Sequence, residues 1–266
     1  MIQELPQNNQ QQASMKLLLN IVIFGVFVAG IVIPIVLNNQ MWYRAERANW
    51  PRDVQYLVHP AFRMMLVLIG WGVVTYLCTQ KLNEKRPTLG LLVGWKPLWK
   101  GVMIGFLCSS PMLLLGLFSS RNDVDHELIY STIVPGFTEE VFYRAFAFGL
   151  MMQVLRFKLW TSAILTGVLF GLAHLINASV RSQPLGDAIG WIGMIAAGGL
   201  FYALLYERAN WNLWIVILLH ASMNLWWDLF DLTSSPLGNF GATVSRILAV
   251  GLAIYFVVFR GVLRPR

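Results

Sequence analysis

The chain has 266 residues, of which 57% are hydrophobic and only 12% charged, against about 25% charged in a typical soluble domain. That shortfall excludes an ordinary soluble enzyme and points to an all-α polytopic membrane protein with short loops and no separate soluble domain. The net charge of +7 is spread over the loops, which argues against a nucleic-acid patch and fits contact with anionic lipid headgroups.

Residues 1–15 form a polar N-terminal tail, rich in Gln and Asn, without the basic start or small-residue cleavage site of a signal peptide. Leu17 onward is therefore expected to be a retained first span. A spanning helix needs roughly 20 mostly apolar residues. Eight stretches are candidates: 17–37, 62–79, 101–119, 131–155, 159–176, 189–206, 213–230 and 244–262. Residues 16–130 hold the first three, 131–230 a core with the chemistry-bearing groups, and 231–266 the last span and tail. Cys78 and Cys108 sit in apolar runs and read as packing residues. Residues 89–99 read as a short helix in the interface, with Lys96 facing headgroups. Gly190, Gly193, Ala196, Ala197, Gly198 and Gly199 make the sixth stretch rich in small residues, which predicts a central place in the bundle. Arg246 opens the last stretch and is expected to snorkel. Trp42, Tyr43, Trp50, Trp95, Trp99, Tyr130, Trp160, Trp211 and Trp214 collect at the predicted ends, as interfacial aromatics do. With eight spans the larger share of Lys and Arg lies on the side of the termini, which the positive-inside rule makes cytoplasmic; Arg44, Arg47, Arg52 and Arg63 oppose it.

The fourth stretch holds Glu139-Glu140-Val141-Phe142-Tyr143-Arg144. Ionisable groups at membrane depth are costly and mark function. Glu140 and Arg144 are i,i+4 and can pair on one helix face. Glu139 points about 100° away and is left to face a cavity. The fifth stretch ends in Phe170-x-x-x-His174, and the seventh carries His220-x-x-x-Asn224. All these groups fall in the same half of the bilayer, as a water-accessible site requires. A carboxylate beside an imidazole can polarise a water for attack on a carbonyl. A second imidazole and an amide can donate hydrogen bonds to the oxyanion that develops. Asp228 and Asp231 read as interfacial, His59 and His126 as loop residues, and no motif makes Ser162, Ser179 or Ser222 a nucleophile.

The ordered set Glu139-Glu140-x-x-x-Arg144, Phe170-x-x-x-His174 and His220-x-x-x-Asn224 resembles the CPBP family of intramembrane proteases. That family includes the type II CAAX prenyl endopeptidases and bacteriocin-processing or self-immunity proteins. The resemblance covers roughly residues 131–230. It implies catalytic roles for Glu139, His174, His220 and Asn224: Glu139 as general base, His174 helping to hold the water, His220 and Asn224 binding the oxyanion. Glu140, Arg144 and Phe170 would support them. It also implies a prenylated or peptide substrate from a membrane protein, no nucleic acid, and a multi-pass place in the plasma (inner) membrane. The family has been described both as metal-dependent and as glutamate-based. No cofactor is expected on the glutamate reading; a zinc ion would fall to Glu139, His174 and His220. Two other functions fit the same groups: a non-proteolytic scaffold or immunity factor, and a proton-coupled transporter. The two halves of the chain show no inverted repeat, which counts against the transporter.

Overall fold

The computed structural model describes residues 7–39, 49–81, 87–119, 121–176, 183–230 and 240–263, and every regular element among them is helical. Helix α1 (Gln7–Asn39) begins inside the polar tail, so residues 7–15 are helical. Next come α2 (Arg52–Tyr76), prolonged by a wide turn over Leu77–Lys81, then α3 (Trp95–Cys108) and α4 (Ser110–Gly116). The central element starts as α5 (His126–Glu139), widens into π-helix over Glu140–Phe148 and ends as α6 (Gly149–Gln153). Then follow α7 (Leu159–Ala173), closed by a tight turn over His174–Ile176, α8 (Leu185–Arg208), α9 (Leu213–Leu229) and α10 (Phe240–Ile254), which ends in a π-helix over Tyr255–Phe259.

The sequence explains where the core lies. Every residue from Glu140 to Phe148 is buried, and a helix buried all round belongs at the centre of a bundle. The π segment packs against α2, α7, α8, α9 and α1, while α5 lies against α2 and α9, and α3 lies against α9. Gly136 makes the α5–α9 contact close: a Cβ there would sit 2.7 Å from the Cα and Cβ of Ala221. Asp125 starts α5 by accepting a 2.8 Å hydrogen bond from the Leu128 amide, as an N-cap does. Asn212 starts α9 in the same way, accepting from the Trp214 amide at 3.1 Å and donating to the Pro97 carbonyl at 2.7 Å. Cys78 and Cys108 are buried and form no disulfide.

The chain is an integral membrane protein, and the expected count of eight spans is not confirmed among the described residues. Among the described residues, Pro60–Thr79, Leu185–Arg208 and Phe240–Phe259 are long and apolar enough to cross a membrane. The pair Trp95–Cys108 and Ser110–Gly116, bent by 42°, makes a fourth if it is one broken span. The bend falls at Ser109, whose hydroxyl donates to the Phe106 carbonyl at 2.7 Å and accepts from Trp226 Nε1 at 2.9 Å. Helices α7 and α9 are apolar but shorter.

Further expectations change. Residues 89–94 are not helical, so the expected interfacial helix starts only at Trp95 and runs on to Cys108. Helix α8 is central only in its second half, where Gly199, Tyr202, Ala203, Leu205 and Tyr206 are buried; 22% of its apolar window is buried. A Cβ at Gly190, Gly193 or Gly198 would meet nothing within 4 Å, whereas Ala196 and Gly199 make the close approach to Gly167 and Gly171 of α7: a Cβ on Gly199 would lie 3.0 Å from the Gly167 Cα. Arg246 does not reach outward: its guanidinium lies 3.7 Å over the Trp227 ring with Nη1 3.0 Å from Met194 Sδ. His59 lies within α2 and His126 opens α5, so neither is a loop residue. Among the expected interfacial aromatics, Trp95, Trp99 and Trp160 are exposed, whereas Trp214 turns inward to donate to the Leu91 carbonyl at 2.9 Å. Trp42, Tyr43, Arg44, Arg47, Ser179 and Asp231 lie outside the described residues.

Candidate active site

The change from α- to π-winding falls between the two glutamates, so neighbours in sequence meet different surroundings. π-turns inside helices are rare and often mark functional sites. Glu140 is fully buried, whereas the Glu139 side chain keeps 16% exposure.

Glu140 Oε1 stands 3.1 Å from Arg144 Nη1, the i,i+4 pair read from the sequence. The same oxygen accepts a 2.6 Å hydrogen bond from His220 Nδ1, which the sequence did not indicate. Arg144 is 1% exposed and packed among rings: its guanidinium carbon lies 4.3 Å from the centre of Phe170 and 5.4 Å from that of Tyr202. Tyr202 in turn stacks on His220, with centres 5.2 Å apart and planes 18° from parallel. Glu140, Arg144, Phe170, Tyr202 and His220 are thus one packed unit built from the π segment, α7, α8 and α9. Among the described residues, Glu140 Oε2 and Arg144 Nη2 are buried without a hydrogen-bond partner. Buried ionic groups left partly unsatisfied add little stability, and their retention favours a functional centre.

His174 joins this unit through Phe170. The two rings meet edge to face at 4.7 Å, and His174 Nδ1 lies 2.8 Å from the Phe170 carbonyl. A carbonyl only accepts, so Nδ1 carries the proton and Nε2 of the neutral ring keeps its lone pair. The same logic gives His220 its proton on Nδ1, facing the Glu140 carboxylate. Asn224 follows one turn later on α9 and is half-buried.

Glu139 has a different partner. Its Oε1 lies 4.0 Å from Nη1 of Arg63 on α2, whose guanidinium carbon is also 5.9 Å from the centre of the Phe142 ring. Tyr143 sits in the electrostatic field of Arg63, Glu139 and Arg144 together. The structure therefore gathers Glu140, Arg144, Phe170, His174 and His220, and sets Glu139 against Arg63. Sequence reasoning missed Arg63 and Tyr202. Arg63 was discoverable, since it lies inside the second apolar stretch, but it was read with the loop charges. Tyr202 carries no signal of its own within an apolar helix.

Among the described residues, no three His, Cys, Asp or Glu side chains gather as a set able to hold a metal ion. Glu139, His174 and His220 do not form such a set, and both histidines already engage Nδ1.

Fold and site together define a helical integral membrane protein with a buried glutamate–histidine–arginine centre at its core. Residues 126–226 match the family model described as Type II CAAX prenyl endopeptidase Rce1-like. Over that segment the chain is similar to the CPBP family of membrane proteases. Neither the curated proteins nor the solved structures gave a match.

Proposed function

We propose that this protein is an intramembrane endopeptidase of the plasma membrane that cleaves a peptide bond of a membrane-anchored, prenylated or peptide substrate without a metal. Glu139 takes one proton from a water that His174 Nε2 holds by accepting its other hydrogen, and the water oxygen adds to the scissile carbonyl carbon. The carbonyl oxygen gains the electron pair, and Asn224 Nδ2–H and His220 Nε2–H donate to it. Collapse re-forms the carbonyl and breaks the C–N bond, and the abstracted proton passes to the leaving amine.

The observation that carries this reading is the 2.6 Å bond between His220 and Glu140. With Nδ1 committed to Glu140, only Nε2 of His220 remains to meet a substrate. Donation from Nε2 needs the doubly protonated ring, since Nδ1 already holds a hydrogen. The Glu140 carboxylate, by accepting from Nδ1 at 2.6 Å, fixes which edge of the ring turns to the substrate. Phe170 and Tyr202 fix the ring planes, so little reorganisation is left for the moment of reaction.

The test is comparison of membrane-protein termini between wild-type cells and cells carrying Glu139→Gln or His174→Ala. Both variants should accumulate the same set of uncleaved proteins. Wild-type processing by either variant would refute the catalytic assignment.

A further inference from the structure

Arg63 lies outside the segment that matches the family and on a helix that carries none of the motifs. It sits near the start of the candidate span Pro60–Thr79, with 12% of its side chain exposed. An arginine at that depth is costly unless it faces the protein interior. This one does, with Nη1 4.0 Å from Glu139 Oε1 and its guanidinium carbon 5.9 Å from the centre of the Phe142 ring.

Three features of this contact go together. Each acid of the Glu139-Glu140 pair has its own cation: Glu140 has Arg144 and Glu139 has Arg63. At 4.0 Å the second contact lies beyond hydrogen-bond range. It therefore attracts the carboxylate without occupying its lone pairs, which stay available to accept from a water. Finally, Glu139 and Phe142 are i,i+3 neighbours, so a rigid guanidinium that touches both is indexed to one face of the central helix.

We propose that Arg63 is a positioning residue, which holds the Glu139 carboxylate aimed at the attacking water by charge attraction across the α2–α5 interface. The inference rests on the reading of Glu139 as the base. Misplacing a reacting group by about 1 Å costs on the order of 100-fold in rate.

The experiment uses the full-length protein in proteoliposomes. The measurements are cleavage of a farnesylated Cys-aliphatic-aliphatic-X reporter peptide, comparison of cellular membrane-protein termini, and the infrared carboxylate band assigned to Glu139 by subtracting the Glu139→Gln spectrum. Arg63→Met should lower kcat about 100-fold with KM changed less than about threefold. It should stall the same cellular substrates as Glu139→Gln and shift the Glu139 band. Arg63→Lys, which keeps the charge, should recover most of the rate and leave the band near its wild-type position. Should Arg63→Met fail to fold, Arg63→Gln retains a polar chain and tests the same loss of charge. Wild-type processing and an unmoved band in the Met or Gln variant would overturn the role of Arg63 while leaving Glu139 as base. A rise in KM with unchanged kcat would overturn it too, by making Arg63 a substrate contact. An active Glu139→Gln protein would instead overturn the catalytic reading itself.

Discussion

Removing Arg144 should destabilise the protein, and removing Glu140 with it should cost less than the two losses added. The pair is 3.1 Å apart with both side chains essentially inaccessible. At an effective dielectric of ~20 this separation corresponds to about 5 kcal/mol of attraction before desolvation is counted. Loss of one member of such a pair costs about 3–5 kcal/mol, because the other is left buried and uncompensated. The structure places these singles at the lower end. In Arg144→Met, Glu140 still holds His220 at 2.6 Å. In Glu140→Gln, Arg144 still faces Phe170 at 4.3 Å, a cation–π contact of about 2 kcal/mol when desolvated. Each single should therefore cost about 3 kcal/mol. The double variant strands neither charge, so its cost should fall short of the sum by about 2 kcal/mol or more. The assay is denaturant unfolding in detergent micelles followed by fluorescence of the 11 tryptophans. Additivity within about 0.5 kcal/mol would refute the claim that the two charges form one buried unit. The double variant should remain inactive even where its fold is secure, since His220 loses its carboxylate.

Other outcomes follow from the same geometry. Gly136→Ala forces a methyl group against the Ala221 backbone; it should destabilise by about 1–3 kcal/mol in micelle unfolding and lower kcat on the reporter peptide by roughly 100-fold through displacement of α9. Gly171→Ala meets the Ile192 carbonyl at 2.8 Å and should lower the midpoint of thermal unfolding, whereas Gly190→Ala faces open space and should leave it unchanged. His174→Ala should lower kcat/KM by about 100- to 10,000-fold, and Asn224→Ala by about 100- to 1,000-fold, in the same cleavage assay. Chelation by phenanthroline should leave the rate unchanged, with metal content checked by elemental analysis; loss of activity restored by zinc would refute the metal-free reaction.

What was legible in the sequence was mostly local. Glu140 and Arg144 pair because i,i+4 spacing places them on one face, and the structure keeps them at 3.1 Å. The embrace of His220 by Glu140 joins positions 80 residues apart, and nothing in either motif says which acid the histidine will choose. Arg63 stands out in the sequence as a charge inside an apolar stretch, but its partner depends on α2 lying against α5. The shift to π-winding at Glu140 has no compositional signature, because the segment Glu140–Phe148 reads simply as apolar with two charges. Hydropathy also counts apolar residues and not bends. The stretch 101–119 looks like one clean span, yet it breaks at Ser109 into two helices 42° apart. Of the small residues of α8, Ala196 and Gly199 meet Gly167 and Gly171 of α7, while Gly190, Gly193 and Gly198 meet nothing, because small size permits close approach without requiring it.

The shortness of α7 and α9 has a consequence for the lipid around them. With 15 and 17 residues, they reach only about 22 and 26 Å at 1.5 Å per residue, less than a hydrocarbon core of about 30 Å. A bilayer meets a short apolar helix by thinning beside it. Helix α7 exposes Ile164, Val168 and Leu172, so a bilayer beside it would thin along that flank. On the proposed function, headgroups and water would then lie closer there to His174, in the turn that closes α7. A leaflet-anchored substrate of the proposed kind would have less hydrocarbon to cross from that side.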